Sequence, residues 1–142
     1  MSELPPVVVD TNIIFSALLS GTSTFADLLL TSNYRFYVCE LVVVELFKQK
    51  DKLIRVSRLS EDEIVRVLYI LLRHLHLYKE DLIAPENRQA AYELCRDIDA
   101  QDTPHVALTL ELKAVLWSGD KKLKAGLQKK GFTSFFDPNS PK

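Results

Sequence analysis

The chain has 142 residues, of which 47% are hydrophobic and 26% charged, which is typical of one compact globular domain. Eighteen basic and nineteen acidic residues leave a formal net charge of −1, which excludes a global positive field that would draw polyanions to the whole molecule. The apolar stretches are too short or too interrupted by charges to cross a bilayer, and no secretion signal is visible. We therefore expect one soluble domain over residues 1–142, located in the cytoplasm, with Cys39 and Cys95 as buried thiols.

The first predicted element is a strand over 6–10 (PVVVD), which is apolar enough to be buried on both faces. A helix over 23–31, a less apolar strand over 34–38 (YRFYV) and one long helix within 40–56 come next. The clearest helix begins after Ser60, because Glu63 completes a capping box ahead of apolar residues at helical spacing.

The second half continues the alternation of strand and helix patterns. It contains a weak strand near 81–84 (DLIA), helices opened by Pro85 and Pro104, and strands over 114–118 (AVLWS) and 133–137 (TSFFD). The tail 136–142 is the one segment expected to be disordered. Together these elements predict a three-layer α/β/α sandwich around a central parallel sheet of about five strands.

Polar side chains follow the two most apolar strands directly. Asp10, Thr11 and Asn12 come after the first strand, and Ser118 and Asp120 come after 114–118. Because the carboxyl ends of parallel strands line the crevice where ligands bind, these residues are expected to share one site.

Further acids stand at two other places. Asp102 ends the run 97–102 (DIDAQD) and is placed at the first turn of the helix at Pro104, whereas nothing in the sequence fixes Asp97 or Asp99. Glu45 lies within the apolar run LVVVELF, where a carboxylate is costly unless something positive meets it.

Each acid alone has an ordinary explanation, because aspartates commonly cap or solvate helix starts. Four carboxylates at strand and helix ends, with few basic residues beside them, instead indicate bound Mg²⁺ or Mn²⁺. A pair of such ions suits hydrolysis of a phosphodiester. Lys121, Lys122 and Lys124 follow Asp120 and offer a local positive patch for a nucleic-acid backbone, although a solvated helix face explains them equally well.

Four segments in order carry a resemblance across residues 7–123: VVVDTNIIFSALL, ELVVVELFK, DTPHVALTLEL and LWSGDKKL. They resemble the signature segments of PIN-domain nucleases, particularly the bacterial and archaeal members regarded as toxins. The resemblance implies a five-stranded parallel sheet, RNA cleavage that depends on Mg²⁺ or Mn²⁺, and frequent homodimers. It also implies a small antitoxin protein as a partner if the chain is a toxin.

Carried over by position, the acids of that family fall on Asp10, Glu45, Asp102 and Asp120. The first ion would be bound by the three aspartates, and Glu45 would assist a second ion or the water. The polar helpers fall on Thr11, Asn12 and Ser118. A metal-activated water is then the nucleophile, and the products carry a 5′-phosphate and a 3′-hydroxyl.

The sequence departs from the pattern of the family at two places. Ser118 stands where many members have threonine, which keeps the hydroxyl, and His105 stands where an aromatic apolar residue is common. Two alternatives remain open. A haloacid-dehalogenase-type phosphatase needs a second acid two positions after the first, where this chain has Asn12, and a non-catalytic module that binds RNA or protein would not need four acids.

Overall fold

The computed structural model describes residues 4–139 and contains one four-stranded parallel sheet. The strands are β1 (Val7–Val9), β2 (Phe36–Cys39), β3 (His76–Tyr78) and β4 (Val115–Trp117). Their order is β3-β2-β1-β4, and Val7 of β1 pairs with Phe36 on one side and Val115 on the other. The predicted α/β fold with a parallel sheet is confirmed, with four strands in place of about five.

The missing fifth strand is reduced to one parallel bridge at the outer edge of β4. Leu116 donates its amide to the carbonyl of Ser134 over 2.8 Å, and its carbonyl accepts from Phe136 over 2.9 Å. Phe136 is buried and belongs to the core. The predicted disordered tail therefore starts with a packed residue, and its last positions, 140–142, lie outside the described residues.

The weak strand predicted near 81–84 is wrong. Glu80–Leu82 forms a short 3-10 helix, and the edge strand is β3, just before it. His76 and Leu77 of β3 are exposed, so this strand lacks the apolar alternation by which a half-buried strand is recognised in sequence.

Eight α-helices surround the sheet within residues 4–139. They are α1 (Thr11–Ser20), α2 (Thr24–Thr31), α3 (Leu41–Lys48), α4 (Lys50–Val56), α5 (Glu61–His74), α6 (Pro85–Cys95), α7 (Thr103–Leu112) and α8 (Lys121–Lys129). The long helix predicted within 40–56 is divided at Gln49, whose φ of −101° and ψ of 8° leave the helical range. The capping box of Ser60 and Glu63 is confirmed by both of its hydrogen bonds.

Two groups of helices flank the sheet. On one side α7 packs on β1 and β2 and against α6, and in the other group α1 contacts α2, α3, α4 and α5. Phe25, Phe36, Trp117 and Phe136 form an aromatic cluster in the core, with ring centroids 4.9 Å apart between Trp117 and Phe136. Because the strands are all parallel, the carboxyl ends of β1, β2 and β4 lie at one edge of the sheet.

Helix α7 ends at a residue with left-handed backbone. Lys113 has a φ of 52° and a ψ of 45°, and its amide and that of Ala114 close the last helical turn on carbonyls of α7. This turn leads directly into β4 and therefore sets where Ser118 and Asp120 emerge.

Cys39 and Cys95 are free and buried, as predicted. Among the described residues, no single helix is long and apolar enough to cross a membrane. The helices α1 and α2 reach that length and hydropathy only together, and they are bent by 99° relative to each other.

Candidate metal centre

A polar cleft of about 160 Å³ opens at the carboxyl ends of β1, β2 and β4. Of the predicted site residues, it collects all four acids together with Thr11 and Asn12. The full lining is Asp10, Thr11, Asn12, Glu45, Gln49, Asp99, Gln101, Asp102, His105 and Asp120. The parallel topology thus brings together side chains that are more than a hundred positions apart in the sequence.

Asp10 and Asp120 each cap a helix and also line the cleft. A carboxylate oxygen of Asp10 accepts the amide hydrogen of Ile13 over 3.1 Å, and Asp120 accepts that of Leu123 over the same distance. Both aspartates therefore act as helix caps, as is common for this residue type, and this role is compatible with a place in the functional site. Because each cap bond fixes one carboxylate oxygen, the side chains are held before any ligand arrives.

Ser118 contacts both of these acids. Its hydroxyl accepts the Asp120 amide over 3.1 Å and also hydrogen-bonds the Asp10 carboxyl. Burial raises the pKa of Asp10 above its ordinary value, and the bond to Ser118 partly opposes that rise. Ser118 itself is buried and lies outside the lining of the cleft.

Glu45 reaches the cleft from α3 and has two partners. Its Oε1 accepts the Thr11 hydroxyl over 2.5 Å and lies 3.8 Å from Nε2 of the buried His105. The interaction with His105 is the main cause that lowers the pKa of Glu45, although burial opposes it. Nδ1 of His105 is 3.5 Å from the sulfur of Cys39. When protonated, His105 is the positive partner that was expected for Glu45.

The tightest group of acids is Asp99, Asp102 and Asp120. One oxygen from each carboxylate lies within 4.8 Å of the other two. Asp99 was expected to lie in an unfixed connection, but its carboxylate accepts the Gln101 amide over 3.0 Å and caps a 3-10 turn over 100–102. That turn runs into α7, which begins at Thr103, one residue earlier than Pro104.

Asp97 points to a different place, because it pairs with Lys130 of the segment that follows α8. Asp102 occupies the N-cap position of α7 without capping it through its side chain. Burial is the main cause that raises the pKa of Asp102 to about 6; His105 opposes the rise, and the carboxylates of Asp99, Asp10 and Asp120 add to it. This mutual repulsion is what a bound cation would relieve.

The three predicted lysine contacts do not line the cleft. Lys121 and Lys122 are exposed at the start of α8, and the ammonium of Lys124 lies over the Phe135 ring, 5.8 Å from its centroid. Within residues 4–139, no lysine or arginine is part of the cleft lining.

Asp99, Gln49 and Gln101 line the cleft but are not predicted site residues, and the contact of His105 with an acid is not predicted either. A signal for His105 exists, because it follows Asp102 by three positions and so lies one helical turn along the same face. The two glutamines carry no such signal, since their position depends on the break after α3 and on the 3-10 turn.

Comparison with known proteins places this chain in a family. The family model described as PIN domain matches residues 8–134. Solved structures with the same fold include PAE2754 from Pyrobaculum aerophilum, with a TM-score of 0.62, 15% identity, and 89% of this chain and 86% of that chain covered. Another is VapBC2 from Rickettsia felis bound to a DNA fragment from their promoter, with a TM-score of 0.61, 20% identity, and 84% and 91% covered.

A search of curated protein sequences finds no match to this chain. The PIN model nevertheless spans nearly the whole described chain, from β1 to Ser134, which lies beyond α8. It thus includes every segment that contributes an acid to the cleft, and the chain belongs to the PIN domain family.

Proposed function

We propose that this PIN domain is a ribonuclease that requires Mg²⁺ or Mn²⁺. The observation that carries the proposal is the convergence of the Asp99, Asp102 and Asp120 oxygens within 4.8 Å, in a cleft that also contains Asp10 and Glu45. PIN domains in general are nucleases that bind divalent metals.

The donor atoms fit a hard divalent cation. The group consists of carboxylate oxygens alone, which suit Mg²⁺ and Mn²⁺, whereas zinc sites are built mainly from cysteine and histidine. We assign cation binding to Asp102 and Asp120, with Asp10 and Asp99 beside them. A cation bound there would supply water activation and neutralise the charge that develops on the phosphate.

The protein side chains divide the remaining work. Glu45, held by Thr11 and His105, is placed to orient the attacking water and to take its proton. Water adds to phosphorus as the bond to the 3′ oxygen breaks, and that oxygen takes up a proton from solvent, so the products carry a 5′-phosphate and a 3′-hydroxyl. Asn12 is exposed at the rim of the cleft, where its amide can contact a phosphate oxygen.

Cleavage of a labelled single-stranded RNA, with DNA of the same sequence as comparison, tests the proposal. We expect cleavage with Mg²⁺ or Mn²⁺, none in EDTA, and none by the Glu45→Gln variant at equal folded content. Full cleavage in EDTA would contradict the metal requirement. RNA binding without cleavage under any metal would favour the alternative of a non-catalytic module.

The likeness of the chain to VapBC2 supports a second part of the proposal, that the nuclease is a toxin held by a small antitoxin protein. An RNA substrate and two free buried cysteines agree with a place in the cytoplasm. A reading frame for a small protein beside the gene, whose product co-purifies with this chain and blocks cleavage, is the expected result. Unrestrained cleavage in the presence of that product would contradict the pairing.

We also propose a homodimer, because α5 leaves an apolar surface exposed. Val65, Tyr69, Ile70 and Leu72 are all exposed on this helix, and Leu30 is exposed on α2. Patches of this kind commonly mark protein interfaces. Light scattering should therefore give twice the 16.2 kDa chain mass. The double variant Val65→Glu with Tyr69→Glu should instead give the mass of one chain. A wild-type chain that is monomeric at high concentration would contradict the proposal.

A further inference from the structure

A second groove of about 510 Å³ continues from the acidic cleft along α3. Glu45, Gln49 and Gln101 line both spaces, so the two adjoin each other. The groove adds Leu41 and Lys48 from one wall, and Ala100 and Pro104 from the other. We call this space the Lys48 groove.

The Lys48 groove supplies the positive charge that the acidic cleft lacks. Lys48 is exposed in the last turn of α3 and lies near enough to Glu45 to contribute to the lowering of its pKa. The carboxylates of the cleft repel the phosphates of a nucleic-acid strand. The Lys48 ammonium beside the cleft would offset this repulsion for the neighbouring phosphate. Lys124, by contrast, is held over the Phe135 ring.

The walls of the groove suit an unpaired nucleotide. Leu41, Ala100 and Pro104 are apolar and can contact the face of a base or a sugar, and the two glutamine amides offer donors and acceptors. No aromatic residue is part of this lining, so the base contact is weak and tolerant of sequence. Bases become available in this manner only when they are unstacked and unpaired.

We propose that the Lys48 groove binds the nucleotide next to the scissile phosphate of a single-stranded substrate, with the Lys48 ammonium on its phosphate. This inference rests on the proposed function, because it names the path by which the same substrate enters the cleft. It replaces the lysines at the start of α8 as the main phosphate contact.

Binding in a cleavage-dead background tests the groove separately from the chemistry. We would measure anisotropy of a labelled single-stranded RNA with Asp102→Asn, and with that variant carrying either Lys48→Gln or Lys122→Gln as matched control. Lys48→Gln should weaken binding on the order of tenfold and lower the salt slope by about 0.7, the value for one phosphate contact to a single strand. Lys122→Gln should stay within about twofold, as is usual for an exposed charge without a contact.

Steady-state kinetics in the otherwise wild-type chain provide the second readout. Lys48→Gln should raise KM with kcat nearly unchanged, because the lysine binds substrate without touching the reacting atoms. A fully paired duplex of the same sequence should bind at least tenfold more weakly than the single strand.

The two proposals fail in different ways. Equal affinities for the Lys48→Gln and Lys122→Gln variants, or a loss confined to Lys122→Gln, would overturn the groove and leave cleavage intact. A chain that binds single strands through Lys48 but cleaves nothing would keep the groove and overturn the nuclease. Tight duplex binding would overturn the single-strand preference.

Discussion

The hydroxyl of Thr11 donates a hydrogen bond of 2.5 Å to Oε1 of Glu45, 34 positions along the chain. Thr11 begins α1 directly after β1, and Glu45 lies in the middle of α3. The bond therefore links two helices across the cleft and fixes an acid that makes no helix-cap bond.

Thr11→Val keeps the shape of this side chain and removes the donor. Glu45 then loses one of the two contacts that hold it and lower its pKa, so we expect cleavage to fall on the order of tenfold, as for loss of a supporting hydrogen bond at a metal site. Initial rates at saturating Mg²⁺ measure the effect. Thr133→Val, at an exposed position, is the matched control, and equal rates for both variants would show that the bond is dispensable.

Asp102→Asn should abolish cleavage and stabilise the metal-free protein. The raised pKa of Asp102, about 6 in the folded state, means that folding favours its protonated form. The protonated Asp102 carboxyl therefore makes its full contribution to stability at pH values below its ordinary pKa, and this contribution is lost as the pH rises through about 6. After a discount for the partial exposure of this carboxyl, we expect the free energy of unfolding of Asp102→Asn to exceed that of the wild type by about 1 kcal/mol at pH 7.

Melting temperatures without metal, taken between pH 4 and pH 7, check this sign. The advantage of Asp102→Asn over the wild type should be small at pH 4 and grow toward pH 7. Saturating Mg²⁺ should stabilise the wild type and remove the difference, because the cation binds the folded state. A difference that is constant with pH would refute the assignment to this carboxyl.

Asp99→Asn should weaken metal binding, whereas Asp97→Asn should not. Asp99 lies with Asp102 and Asp120 in the acidic group, and Asp97 pairs with Lys130. Calorimetric titration with Mn²⁺ should show a loss on the order of tenfold for Asp99→Asn and a change within about twofold for Asp97→Asn, since an exposed ion pair contributes little. Equal affinities for the two variants would remove Asp99 from the site.

Lys113→Gly should stabilise the fold, because Lys113 has a φ of 52° that side chains rarely adopt. Relief of this conformation should contribute about 0.5 to 1 kcal/mol, measured by urea unfolding. Lys122→Gly makes the same change in the first turn of α8, where glycine is expected to lower stability by up to about 1 kcal/mol. A loss of stability at both positions would show that the left-handed turn is not strained.

The residues that could be predicted from sequence are those whose position depends on a strand or on one helix turn. Asp10 follows three buried valines, so its place at the sheet edge is fixed by β1 alone. The Ser60 capping box is likewise a local property of its own turn.

Residues positioned by irregular backbone could not be predicted in this manner. Asp99 enters the acidic group because a 3-10 turn follows it, and Gln49 enters because α3 and α4 separate there. Both features depend on packing between distant segments, which the local pattern does not encode. For the same reason β3, an edge strand with exposed side chains, gave no signal.

The acids of the cleft come from β1, α3, the turn over 100–102 and the start of α8, and Asp120 is oriented by its cap bond within α8. A growing chain therefore lacks an assembled acidic group until α8 has left the ribosome and folded. Ribosome-bound chains that end before residue 120 lack Asp120 and α8, so we expect them to be inactive and the proposed cleavage to begin only once α8 has been made.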